Sequence, residues 1–275
     1  KEPVSHFISA EILVMKKIII NCSTAALLLT SVTISYAQIV NVESARMQSD
    51  TTGWMGGANA GFSFNKSSQD VFSLNINAHL QYKTEKDLWL ILGNYGYLKG
   101  GNRRFIYNRY MHLRYNRKLN PWLRWEVFTQ IQKDLVTDIN LRSLTGTGPR
   151  FKIVSTKKFH LYAASLLMYE IESEATTPVI RHYDWRNSTY VSFTILPTEN
   201  LEIISTTYFQ PLLNYFNDYR LLNDVDVKVK ASKRFSVSLQ WNFIYDRFPA
   251  GTAPNTVYTF SSGFNYNFEM SRSTR

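Results

Sequence analysis

The stretch Val257–Phe268, VYTFSSGFNYNF, sets Tyr258, Phe260, Ser262, Phe264, Tyr266 and Phe268 against Thr259, Ser261, Gly263, Asn265 and Asn267. One face is aromatic and the other small and polar. Alternation with period two marks a strand, because successive side chains leave opposite faces of a sheet. A unit of about 10 such residues with aromatics near its ends is what a membrane-spanning β-barrel repeats.

The unit recurs upstream. Trp54, Gly56, Ala58, Ala60, Phe62 and Phe64 oppose Met55, Gly57, Asn59, Gly61, Ser63 and Asn65; Phe72, Leu74, Ile76, Leu80 and Tyr82 oppose Ser73, Asn75, Asn77, Gln81 and Lys83. Further strands are expected over Phe105 to Asn116, from Leu123, over Leu141 to Val154, around Tyr162 to Glu172, from Tyr183, over Leu201 to Gln210, from Leu221 and from Phe235. Residues 88–99 are apolar on both faces, so their direction is unassigned, and Gly146 and Gly148 are read as a bend. The total is twelve strands, an even number that returns the chain to its starting side. The expected fold is all-β, an antiparallel up-and-down transmembrane barrel over 53–268. TEKD, STKK, LPTEN and SKR are short and belong on the periplasmic side; the longer connections belong outside.

A soluble periplasmic sandwich or lipid-carrying barrel would show the same alternation with its faces inverted. The aromatics near strand ends, Trp54, Tyr82, Tyr115, Trp185, Tyr245 and Tyr258, favour girdles at the two membrane interfaces over a packed core.

Composition agrees. Aromatics make up 15% of the 275 residues, and no apolar run after Ala37 approaches the about 20 residues of a membrane helix. Residues 15–37 read MKKIIINCSTAALLLTSVTISYA, with basic, apolar and small-x-small regions in the order of a secretory signal peptide cut between Ala37 and Gln38. Residues 1–14 are read as a translated upstream segment, 38–52 as a polar periplasmic leader and 269–275 as a polar tail. Cys22, the one cysteine, falls within the signal, so the exported chain forms no disulfide. The net charge of +10 invites a nucleic-acid reading, which export and the lack of a clustered basic run oppose. The expected place is the outer membrane of a Gram-negative envelope. The expected partners are outer-membrane lipids and the barrel-assembly and periplasmic chaperone machinery, with no nucleic acid.

The first strand GWMGGANAGFSF, the stretch LWLILGNYGYLKGG, the strand RSLTGTGPRF and the aromatic closing strand resemble the domain of unknown function 481 family, bacterial outer-membrane barrels also labelled salt-induced outer-membrane proteins. The resemblance covers most of Gly53 to Phe268 and implies a barrel without implying a catalytic residue. This chain departs from the usual barrel ending by continuing past Phe268 with EMSRSTR.

For chemistry, a lipid hydrolase needs a Ser beside a His on one strand face, and none of His79, His112, His160 and His182 has Ser or Thr two positions away. His182 and Asp184 with Glu170, Glu172 and Glu174 have metal-ligand chemistry, but scattered charges at a wet loop mouth are the reading adopted. No cofactor and no metal is expected. The lumen is expected to carry Arg114, Arg124, Glu126, Arg142, Arg150, Glu170, Arg186, Asp224, Asp226 and Lys228. The wider inward set holds ten bases, with Lys83, Lys152, Arg220 and Lys230 added, and nine acids, with Asp134, Glu172, Asp184, Glu202 and Asp246. Near balance implies either ion pairs that hold a narrow barrel together or a constricted channel lined by both signs. A non-enzymatic barrel with a structural or weakly conducting lumen follows; a lipid hydrolase and a scaffold or adhesin acting through its loops are the alternatives.

Overall fold

The computed structural model describes residues 42–46, 52–66, 70–232 and 234–271. The signal junction Ala37–Gln38 and the end of the polar tail lie outside the described residues. A short helix, α1 (Val42–Ala45), precedes twelve strands: β1 (Gly53–Lys66), β2 (Asp70–Lys83), β3 (Asp87–Gly100), β4 (Arg103–Lys118), β5 (Leu123–Asp134), β6 (Ile139–Ser155), β7 (Phe159–Glu174), β8 (Arg181–Thr198), β9 (Leu201–Pro211), β10 (Tyr219–Lys230), β11 (Phe235–Asp246) and β12 (Thr256–Ser271). Each strand is antiparallel to its sequence neighbours, and β1 meets β12 to close the barrel. Closure leaves no sheet edge along the zipped interfaces, which is how a sheet satisfies its backbone in lipid.

Burial follows the alternation. On β5, Glu126, Phe128 and Gln132 are buried inside while Trp125, Val127 and Ile131 are exposed outside. On β11, Ser236, Ser238 and Asn242 face inward and Phe235, Val237, Leu239 and Trp241 outward. The ambiguity of β3 resolves with Leu88, Leu90 and Leu92 inside and Trp89 and Ile91 outside. Those inward leucines pack with Tyr110 and with Val42 of α1, so an element within the barrel covers them. On β9 the pattern is weak because the apolar Ile204 and Tyr208 are buried on the inner side, while Thr207 faces outward and accepts a hydrogen bond from Asn223 Nδ2 at 2.8 Å.

Four of the turns on the side of the chain ends share one device. Thr84, Asn120, Thr156 and Ser232 each open a turn, and each side-chain oxygen accepts the backbone N–H of the residue three positions on, Asp87, Leu123, Phe159 and Phe235, at 2.7–3.1 Å. Ser, Thr and Asn favour such turns because the side chain replaces a missing backbone partner. At the opposite end the connections lengthen around the barrel. Only residues 101–102 join β3 to β4, whereas 247–255 join β11 to β12. The connection between β3 and β4, among those expected to be longer, is therefore a tight turn, made by Gly101 at φ 56°.

Gly146 and Gly148 serve close approach rather than a simple bend. A Cβ at Gly146 would lie 2.4 Å from the Phe128 ring, and one at Gly148 would lie 2.3 Å from the Ser165 carbonyl oxygen of β7.

The seam of the barrel is uneven. β1 pairs with β2 along its whole length, but with β12 only over Gly53–Ala58 against Tyr266–Ser271. Above that point Phe62 and Phe264, 81% and 79% exposed, flank the two strands, and Asn59 Nδ2 donates to the Phe264 carbonyl across them.

Candidate functional site

Within the lumen the side chains form two charged layers separated by an apolar belt. The periplasmic layer is built on β4, β5 and β6, where Arg114, Glu126 and Arg150 are buried. It is completed by α1. Arg150 Nη2 donates to Glu43 Oε2 at 2.7 Å, Arg114 Nη1 to Glu43 Oε1 at 3.3 Å, and Arg46 Nη2 to Glu126 Oε1 at 3.3 Å. Glu126 Oε2 accepts the Tyr190 hydroxyl at 2.6 Å, and Asn116 bridges the Glu126 and Arg46 side chains. Arg114 Nε donates to His112 Nε2 at 3.3 Å, which leaves Nδ1 as the protonated nitrogen that meets Gln130 Oε1 at 3.1 Å. A buried charge needs both a counter-charge and hydrogen bonds; this layer supplies the counter-charges and part of the hydrogen bonding, with Arg150 Nε and Nη1 left without an acceptor among the described residues.

Within the stretch 38–52, expected as a polar periplasmic leader, Val42, Glu43 and Arg46 are buried inside the barrel. The reason is electrostatic: two buried arginines face one strand-borne carboxylate, and Glu43 supplies the second. The run VESAR carries this in its Glu-x-x-Arg spacing, which unpatterned surroundings conceal.

The belt above consists of Phe128, Leu144, Ala164, Leu166, Met168, Tyr190, Tyr208 and Leu222. Over it lies the extracellular layer, centred on Glu170. Arg220 Nη1, Arg186 Nε and Arg142 Nε approach the Glu170 carboxylate at 2.5, 2.7 and 3.0 Å. Glu172 takes Arg142 Nη2 at 2.5 Å and Arg220 Nη2 at 3.1 Å, while Asp218 and Asp246 take Arg186 and Arg220. The β11–β12 connection lies across this mouth. Its Gly251 N–H donates to Glu174 Oε2 at 3.1 Å, and Thr252 donates through N and Oγ1 to Asp138 Oδ2 at 2.9 and 3.0 Å. A cavity of about 90 Å³ runs from that loop down to Val42. It is smaller than the about 150 Å³ that admits benzene, so it suits a few waters.

Seven of the residues singled out from the sequence meet in these layers or beside them: Arg114, Glu126 and Arg150 in the periplasmic layer, with Arg124 opposite Arg150 in strand register, and Arg142, Glu170 and Arg186 in the extracellular one. Asp224, Asp226 and Lys228 stand apart on β10. Asp224 accepts from Asn242 Nδ2, and Asp226 accepts from Gln240 Nε2 at 3.1 Å with Lys228 Nζ 3.8 Å away. Beside them, β1, β2, β11 and β12 line the rest of the lumen with half-buried Asn59, Ser73, Asn75, Asn77, Gln240, Ser261 and Asn265.

The aromatics expected to form girdles pair across strands on the outer face. Ring centroids lie 4.8 Å apart in Trp54–Tyr82, 4.4 Å in Trp89–Tyr115, 4.9 Å in Tyr169–Trp185, 5.8 Å in Tyr219–Tyr245 and 5.5 Å in Trp241–Tyr258. Arg109, on the same face, lies 4.7 Å from the Tyr107 ring, which gives its charge a partner.

Two chemistries gain little from this geometry. His182 Nε2 meets Glu174 Oε1 at 2.7 Å, but Glu170 and Glu172 are engaged by arginines, and no group of three metal-ligating side chains occurs among the described residues. Ser155 Oγ meets His160 Nδ1 at 3.0 Å across the β6–β7 turn, on an exposed rim rather than in a cleft.

The model of the family described as "Protein of unknown function, DUF481" matches residues 58–268. The chain belongs to that family. No curated protein matches it. Among solved structures, it is similar to the NanC porin at 9% identity and a TM-score of 0.48, covering 79% of this chain and 99% of that one. The COG4313 outer membrane channel from Pseudomonas putida F1 gives 9% and 0.48 over 84% and 100%, and the translocator domain of the autotransporter NalP from Neisseria meningitidis 9% and 0.46 over 82% and 91%. This DUF481 chain is a closed, twelve-stranded antiparallel β-barrel.

Proposed function

We propose that this barrel is a non-enzymatic outer-membrane protein whose narrow polar lumen passes small solutes weakly and with little charge preference. It is delivered by a signal peptide removed after Ala37 and inserted by the barrel-assembly and periplasmic chaperone machinery. The observation that carries the reading is the asymmetry of the lumen. The arginine layers and the apolar clusters fill the side formed by β3 to β10, while the side formed by β1, β2, β11 and β12 presents half-buried Asn, Ser and Gln. Neutral hydrogen-bonding groups replace part of a solute's hydration without imposing a single sign of charge. The filled side keeps the opening well below that of a wide porin.

Purified protein in planar lipid bilayers should give small or intermittent current steps with cation and anion permeabilities nearly equal. Large, steady, strongly selective steps would overturn the reading, and silence would turn it toward a structural barrel or an envelope scaffold acting through its loops.

A further inference from the structure

Arg114 and Arg150 converge on one carboxylate that belongs to neither of their strands. Each guanidinium takes a separate oxygen of Glu43, at 3.3 and 2.7 Å. Both arginines are held without Glu43: the Tyr162 ring lies 4.0 Å from the Arg150 guanidinium, and the Phe128 and Tyr190 rings lie 5.7 and 5.9 Å from that of Arg114. Glu126 is already engaged by Tyr190, Asn116 and Arg46, so it serves as a shared counter-charge rather than as a full partner for either arginine. Arg150 is only 1% exposed, yet its Nε and Nη1 find no hydrogen-bond acceptor among the described residues. Donor capacity in this layer therefore exceeds what Glu43 uses. The extracellular layer differs, because Glu170, Glu172 and Asp246 on the barrel's own strands partner its arginines.

The geometry points to a carboxylate-binding subsite in the lumen, built by Arg114 and Arg150 and filled in cis by Glu43, at which small carboxylate solutes compete with that side chain. This rests on the conducting reading above and adds its solute class, small organic acids. A two-oxygen acceptor with one charge is the form seated there. A phosphate would bring more charge toward Glu126, whose Oε1 lies 3.6 Å from Arg150 Nη1, so like-charge repulsion disfavours it. With Glu43 neutralised, the layer holds Arg46, Arg114 and Arg150 against Glu126 alone, an excess of base that draws anions.

The test is selectivity and block, measured with acetate as the probe and methylammonium as the control of opposite sign. In bilayers, Glu43→Gln should move the pore from near-equal permeabilities to anion preference, and acetate should reduce its chloride current. Adding Arg150→Gln should weaken that block about tenfold, the worth of one charge-assisted hydrogen bond. Unchanged selectivity together with indifference to acetate would sink the subsite while leaving weak conduction standing. If neither protein passes current, saturation-transfer NMR of acetate with the folded, detergent-solubilised Glu43→Gln chain separates the two ideas. Binding that Arg150→Gln weakens supports the subsite and removes conduction, whereas no binding removes the subsite. The unaltered protein gives a second route, since acetate should compete with Glu43 there too, about tenfold less effectively; wild-type block as strong as in the variant would show that Glu43 does not occupy the site.

Discussion

Glu170 receives three guanidinium groups on its two carboxylate oxygens, and it is almost wholly buried. Desolvating such a cluster is costly, so the pairs are not free stabilisation; their effect is to make each member depend on the others. Glu170→Gln leaves Arg142, Arg186 and Arg220 short of a shared counter-charge and should cost about 3 to 5 kcal/mol in reversible unfolding from lipid vesicles. A loss below about 1 kcal/mol would mean that water or rearranged carboxylates replace it. At the periplasmic rim, Arg117 bonds to Asp87 at 2.7 Å with its side chain nearly half exposed, and Arg117→Gln should leave stability almost unchanged. Burial, rather than distance, separates these two sites.

At the scale of elements, the hairpin of β10 and β11 shows how the bilayer selects a face. Leu239 is exposed on the outside, and its neighbour Gln240 points inward to Asp226. Leu239→Arg should cost about 2 to 4 kcal/mol near the bilayer midplane, and Gln240→Arg much less, because an inward charge can pair with Asp226. Equal costs in vesicle unfolding would reverse the assignment of faces. The seam of β1 and β12 makes a second case. Above Ala58 the two strands no longer pair, so the β1 amides directed at β12 lack the strand partners that their β2-directed neighbours have. Hydrogen exchange across Asn59–Lys66 should alternate, fast at every second amide, whereas β4 should be protected throughout. Uniform protection of that segment would show the seam zipped to its extracellular end.

Over the whole molecule, the two ion-paired layers, the belt between them and the pinned 247–255 connection fill one side of the lumen, and half-buried Asn, Ser and Gln line the other. Obstruction by side chains can be relieved without altering the sheet. Arg124 and Arg150 lie opposite each other in register on β5 and β6, so replacing both by Ala removes bulk at one level of the lumen. Current steps in planar bilayers should grow in the double variant while the barrel stays closed by circular dichroism. Steps of unaltered size would place the constriction elsewhere, at the extracellular layer or beneath its loop.

Strand number, strand direction and most of the inward and outward faces were legible from residue alternation, because lipid demands apolar side chains outside and the pleat repeats every two residues. Tyr258, Phe260 and Phe264 against Thr259 and Ser261 needed no tertiary information to be read. Where the lumen itself is apolar the rule fails: Leu88, Leu90 and Leu92 face inward because Val42 and Tyr110 cover them, and nothing local to β3 announces that cover. Which inward charges pair with which was equally out of reach. Arg150 meets Glu43 across 107 positions, and Arg220 meets Glu170 across 50, since closure of the barrel brings distant strands, and the segment before them, around one axis. Alternation specifies to which side a side chain points. Which partner it finds there is decided by the barrel's stagger and by what enters its lumen.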